Sequence, residues 1–233
     1  NDPEIRPYLG NLSYHSYWTD HDVRNKINFG NWVESTITDL PVEMSEWCHL
    51  PCTSPIDDIS GALLQARVMA NDLNFTNVDS WTAWVGVNGI GLDGEGREYS
   101  DGLLVATDGN ISDIKIPLRY YAVAHYSKFI PVGSVKVETE KNIYDMVWEK
   151  DGAGVITGAN FITNTVSYLT PDGKVVTVIT NEGEDRELKV KVNRKNMTVY
   201  TTTQDSQMEE TYSGKRTKIT LPANSITTIV FEK

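Results

Sequence analysis

The chain has 233 residues, 39% of them hydrophobic and 23% charged, an ordinary balance for a globular protein of one large domain or two smaller ones. Its formal net charge of -11, with no basic cluster along the sequence to compensate it, argues against a nucleic-acid partner. No apolar run approaches the roughly 18 residues of a membrane span, and an opening at Asn1 without Met fits a removed leader or a missing N-terminal region equally.

In chain order, the first strand-like segment covers 12–18 and ends in His15, Tyr17 and Trp18. The second covers 41–47 and delivers Glu46 beside Trp47. A helix is predicted over 56–72, with Ser54 and Asp57 as an N-cap signature, Pro55 at the first turn, and Ile59, Leu63, Ala66 and Met69 as its apolar stripe. A third strand-like segment covers 81–88, with Trp81, Trp84 and Asn88, followed by a flexible glycine-rich loop. A second helix over 118–129 carries Tyr120 and Tyr121 and stops before Pro131 and Gly133. Alternating strands and helices over 1–132 predict a parallel α/β arrangement.

Beyond about Val135 the texture turns all-β. Residues 188–192 alternate strictly, 174–179 are rich in β-branched side chains, and further strands are expected at 198–201, 217–221 and 225–231. Turn signals at Lys150-Asp151-Gly152 and Pro171-Asp172-Gly173 separate them. Residues 133–233 therefore read as a β-sandwich that packs against the first half.

Strand ends that present a carboxylate among aromatic rings suit sugar chemistry, because rings stack on a sugar face and the carboxylate meets a developing cationic centre. Glu46 is the candidate catalytic group. His15, Tyr17, Trp84, Trp81 and Asn88 are the candidate substrate contacts. Trp81 and Trp84 are three apart, so on a strand one faces the sugar and the other the wall, and Trp84 is favoured for the sugar. Cys48 and Cys52, with His49, fall short of a four-ligand zinc set, so no metal or other cofactor is expected. The two cysteines suit either a local disulfide or free thiols. The Gly89-Ile90-Gly91 run matches a dinucleotide loop only in part, since no helix pattern follows it. Asn11, Asn74, Asn110 and Asn196 open glycosylation sequons, triplets that often arise by chance.

Taken together, these segments resemble glycoside hydrolase family 30, retaining enzymes built on a (β/α)8 barrel with a side β-sandwich. Residues 12–18 resemble its sixth barrel strand. Met44-Ser45-Glu46 resembles the seventh, which carries the nucleophile, and 81–88 the eighth. Residues 118–132 resemble the last barrel helix, and 221–228 the final sandwich strand. The resemblance implies the C-terminal part of a TIM barrel over 1–132, an antiparallel β-sandwich domain over 133–233, and Glu46 as nucleophile. It also implies a β-linked carbohydrate substrate and export from the cell, secreted or periplasmic. A complete barrel takes about 250 residues, so strands one to five are expected from a second polypeptide. The family's acid/base, an Asn-Glu pair, has no counterpart ahead of Glu46; Asn181-Glu182 falls in a sandwich turn.

Overall fold

The computed structural model describes residues 2–49, 56–92, 94–96, 98–107, 112–139, 146–194 and 196–233. Three strands, β1 (Leu12–His15), β2 (Val42–Glu46) and β3 (Ser80–Trp81), pair in parallel in the order β1-β2-β3. Parallel neighbours need crossover connections, and helices α1 (Val23–Thr36) and α2 (Ile59–Asn71) supply them. Each helix starts at an aspartate. The Asp22 carboxylate accepts the Arg24 N–H at 2.9 Å, and Asp58 accepts the Ser60 N–H at 2.8 Å. The expected cap at Ser54 and Pro55, like Cys52, lies outside the described residues. The second helix begins at Ile59 and passes after Asn71 into one π-helical turn, Asp72–Thr76.

One face of the parallel sheet is apolar. Val42 and Met44 are buried against Val33 of α1 and Val68 of α2. The other face is polar: Glu43 accepts from Asn11 at 2.7 Å, Ser13 at 3.1 Å and Ser80 at 2.9 Å.

The single strand expected over 81–88 is corrected. The ladder stops at Trp81, the Thr82 N–H reaches the Met44 carbonyl, and the chain then turns away. Val87 and Asn88 belong to β4 (Val87–Gly89), which pairs with β7 (Leu104–Ala106) and through it with β8 (Ile114–Lys115). The expected flexible loop is also corrected, since β5 (Gly91–Leu92) and β6 (Glu98–Tyr99) form a small antiparallel ribbon there.

Helix α3 (Leu118–Ser127) leads to the sandwich, whose strands are β9 (Val135–Val137), β10 (Met146–Lys150), β11 (Ile156–Phe161), β12 (Thr163–Leu169), β13 (Val175–Asn181), β14 (Arg186–Lys189), β15 (Met197–Thr202), β16 (Glu209–Gly214), β17 (Lys218–Leu221) and β18 (Ser225–Phe231). Six form an antiparallel sheet in the order β16-β15-β18-β13-β12-β9, and β14-β17 is a separate ribbon. At the β12–β13 turn Gly173 takes a φ of 86°, which its lack of a Cβ permits.

Both faces of the large sheet are covered. Val166, Val176, Val178, Ile226 and Val230 meet Ala62, Leu63, Ala66 and Met69 of α2 and Leu118, Ala122 and Tyr126 of α3. The alanines let helix and sheet approach closely. Ile179, Val199, Ile229 and Phe231 form a second core with Ile219 and Leu221 of β17. Every residue of β18 is buried for this reason. The α/β half and the sandwich thus share a core, tied further by the Arg67–Glu182 ion pair at 3.0 Å and by His125, whose ring nitrogens lie 2.8 Å from Thr228 Oγ1 and 2.9 Å from Thr202 Oγ1.

Candidate active site

Alternation along β2 would put Glu46 with Val42 and Met44, against the helices. A register irregularity prevents this: Tyr14 pairs with Met44, but His15 pairs with Glu46, so one step on β1 matches two on β2. The extra residue turns Glu46 to the polar face beside His15. Its carboxylate accepts the Tyr17 hydroxyl at 3.0 Å and lies 3.8 Å from His15 Nδ1. The His15 and Tyr17 rings meet edge to face, with centroids 5.9 Å apart. The Tyr17 hydroxyl also lies 3.4 Å from Cys48 Sγ. Burial first, and then the bonds to Cys48 and Glu46, hold the Tyr17 phenol well above its ordinary pKa. Tyr17 is therefore a neutral donor across the working pH range, aimed at a half-buried carboxylate.

Behind the sheet a buried polar hub fixes these strand ends. Asp72, fully buried, accepts from Tyr14 at 2.8 Å, Ser16 at 2.7 Å and Trp81 Nε1 at 2.8 Å, and it pairs with buried Lys26. Lys26 also donates to Ser16 at 2.8 Å. Burial lowers the Lys26 pKa against the opposing pull of Asp72, and burial with the Asp72 charge raises that of Tyr14. Tyr14 and Ser16 point into the hub, while the intervening His15 and the following Tyr17 face the polar side. Trp47 is anchored separately by its indole N–H to buried Asp20 at 2.8 Å.

The structure brings Glu46, His15 and Tyr17 together. Trp81 stands on the helix side, bonded to Asp72 and tilted against Trp47 with centroids 6.4 Å apart. Trp84 is 50% exposed, and its N–H donates to the Trp47 carbonyl at 2.9 Å, which ties it to the end of β2. Asn88 sits in the small β4-β7-β8 sheet, and its side-chain oxygen accepts the Gly89 N–H at 2.8 Å, so it caps its own strand. Sequence reasoning missed the Asp72–Lys26 hub, since the partners lie far apart along the chain. Trp18, named at the end of the first strand-like segment but not among the candidate contacts, is 84% exposed and held at a φ of 71° directly after Tyr17. Among the described residues, no three His, Cys, Asp or Glu side chains group as metal ligands.

Residues 157–229 match the family described as the Glycosyl hydrolase family 30 beta sandwich domain. The chain is 28% identical over 189 residues to the protein named "Putative glucosylceramidase 1" from Caenorhabditis elegans, covering 78% of this chain and 32% of that one. The fold is similar to that of a GH30 endoxylanase from Clostridium papyrosolvens C71, with a TM-score of 0.71, 18% identity, all of this chain and 51% of that chain covered. It is also similar to a conserved exported protein from Bacteroides fragilis, with a TM-score of 0.68, 19% identity, 95% of this chain and 46% of that chain covered. The chain therefore spans about a third of its curated relative and about half of these structural ones. By sequence the chain is related to glycosyl hydrolase family 30 through its β-sandwich domain, and nearly its whole length shares the fold of these structural neighbours.

Proposed function

We propose that this chain supplies the nucleophile side of a retaining glycoside hydrolase acting on a β-linked polysaccharide, with Glu46 as the nucleophile. The observation that carries the reading is the turning of Glu46, by one extra strand residue, to the polar face where Tyr17 donates to it. In such a reaction the carboxylate attacks the anomeric carbon while an acid about 5 to 5.5 Å away protonates the leaving oxygen, and water then hydrolyses the glycosyl–enzyme ester. The Tyr17 phenol, donating at 3.0 Å, orients the carboxylate for attack. His15 and Trp84 are assigned to the substrate, Trp81 to the wall.

The acid/base lies outside this chain. Glu182, in the chain's Asn-Glu pair, is committed to Arg67 between α2 and the sandwich. In this reading residues 1–132 form the last three βα units of a (β/α)8 barrel and 133–233 its side domain. A second polypeptide, or another part of a longer one, provides strands one to five along the open edge of β1, whose only neighbour in its sheet among the described residues is β2. A barrel built this way has no free edge. Xylan, β-1,6-galactan and β-1,6-glucan are the substrates to test. The Caenorhabditis elegans relative favours a second reading, an exo-glycosidase of glucosylceramidase type. An insoluble polysaccharide substrate and the exported Bacteroides fragilis neighbour both support a secreted or periplasmic location.

The test is the native mass of the purified protein, followed by hydrolysis assays and labelling with a 2-deoxy-2-fluoro glycoside. Activity together with a partner of about 200 residues, and a label on the Glu46 peptide, is the expected result. Full activity from the single chain would overturn the external acid/base, and activity that survives Glu46→Gln would overturn the nucleophile.

A further inference from the structure

A groove well away from Glu46 lies in the sandwich, where the β14-β17 ribbon and the ends of β15 and β16 border about 690 Å³. That volume falls within the ordinary range for ligand sites. Its charge is opposite to that of the molecule. The formal net charge is -11, yet Arg194, Lys215, Arg216 and Lys218 line the groove against one acidic side chain, Glu187. Glu187 is spent on Lys218 at 2.6 Å. Among the described residues, Arg194, Lys215 and Arg216 form no ion pair, so three uncompensated cations share one concavity.

The groove is shaped as well as charged. Gly214 takes a φ of 139°, a conformation reserved for glycine, and a Cβ there would meet the Tyr212 hydroxyl at 2.9 Å. The bare glycine lets the Tyr212 ring lie over the strand end, and the Arg216 guanidinium stacks on that ring at 4.1 Å from its centroid. Stacking fixes the guanidinium in a plane with its donors free, the arrangement that suits a carboxylate. Asn196 and Thr217 add neutral hydrogen-bonding groups on the same wall.

We propose that this groove binds an acidic, carboxylate-bearing glycan, with Arg194, Lys215 and Arg216 on its uronate groups and Asn196 and Thr217 on its hydroxyls. A few fixed cations with amide and hydroxyl neighbours match carboxylates spaced along a polar, hydroxyl-bearing chain. The choice of a glycan rests on the polysaccharide reading above; the anion site itself does not.

The experiment is calorimetric titration of the chain with polygalacturonate oligomers, with the same oligomers after carboxyl reduction, and with a single-stranded oligonucleotide, at low and at 0.5 M salt. The expected result is binding of the uronate oligomers alone, weakened by salt and by about tenfold or more in Arg194→Ala/Arg216→Ala, the loss of charged hydrogen bonds. Lys174→Ala, which removes a cation outside the groove, should leave it unchanged. Equal binding of the reduced oligomers, an undiminished affinity in the double variant, or no binding at all would overturn the proposal, and an oligonucleotide bound as tightly would overturn the choice of glycan. Glu46→Gln should bind the oligomers as the wild type does, so a failed nucleophile assignment leaves this result standing.

Discussion

Lys26 and Asp72 face one another as an ion pair in which neither side chain is open to solvent. Lys26 reaches it from α1, and Asp72 begins the π-helical turn that ends α2. Through Tyr14, Ser16 and Trp81 the same carboxylate holds β1, its following residue and β3. Removing one member of a buried pair strands the other charge, at a cost of about 3 to 5 kcal/mol. Asp72→Asn should cost that much in a denaturant titration. Lys26→Met should cost less, because Asp72 keeps three neutral donors whereas Lys26 would keep only Ser16. The reverse ranking would show that the carboxylate is not the centre of the hub.

Gly30 sits where α1 crosses that turn. In an ordinary helix interior Gly→Ala stabilises by about 0.5 to 1 kcal/mol. Here a Cβ would overlap the Phe75 carbonyl oxygen and lie 2.7 Å from its carbon, both backbone atoms that belong to the turn carrying Asp72. The sign should reverse, with Gly30→Ala destabilising by about 1 to 3 kcal/mol as an overpacked contact. A stabilised variant would mean that helix and turn are not in close contact.

The sandwich was the most legible part of the sequence. The run 225–231 is β-branched and follows the turn at Pro222 and Asn224, and β18 has those bounds because both of its faces are buried. Glu46 could be picked out by its aromatic neighbours, but its direction depends on one extra residue in β2, which a period of two cannot reveal. Residues 81–88 misled for a related reason: the composition stays strand-like while the hydrogen-bond partner changes, from Met44 and Trp47 at Thr82 and Trp84 to Asp101 at Val85. Asp72 reads as a solvated residue at a helix end until folding brings Lys26 and Ser16 to it. The basic groove is likewise invisible along the chain, where Arg194 and Arg216 are separated by two strands.

His125 gives the fold a pH limit. Burial, with a smaller contribution from Lys128, lowers its pKa from 6.5 to about 3, and both ring nitrogens are used by threonines of the sheet. As pH falls below 6.5 the unfolded chain takes up a proton at this position and the folded chain does not until about 3. The unfolded state therefore gains, and stability falls through that window by about 1.4 kcal/mol per pH unit, or about 2 kcal/mol by pH 5. Above 6.5 the histidine contributes no pH dependence. Asp22, whose pKa is lowered chiefly by its hydrogen bond to Arg24, also loses stability in acid, so the measurement is a difference. Chemical denaturation of the wild type and of His125→Gln should converge on the acid side, the variant losing less per pH unit between 6.5 and 5. Parallel curves would show that His125 is not held neutral.

The closest test of the site is the Tyr17 hydroxyl. If its donation at 3.0 Å keeps Glu46 oriented, Tyr17→Phe in the assembled enzyme removes one hydrogen bond to a carboxylate, about 1.5 to 3 kcal/mol. That corresponds to about 10- to 150-fold in rate. The loss should fall on kcat rather than KM, since the bond is to the attacking group and not to the sugar. His15, whose Nδ1 stands 3.8 Å from the same oxygen with half of its side chain exposed, is beyond hydrogen-bond reach. His15→Ala should therefore raise KM with a smaller change in kcat. An intact kcat in Tyr17→Phe would remove Tyr17 from the nucleophile's support.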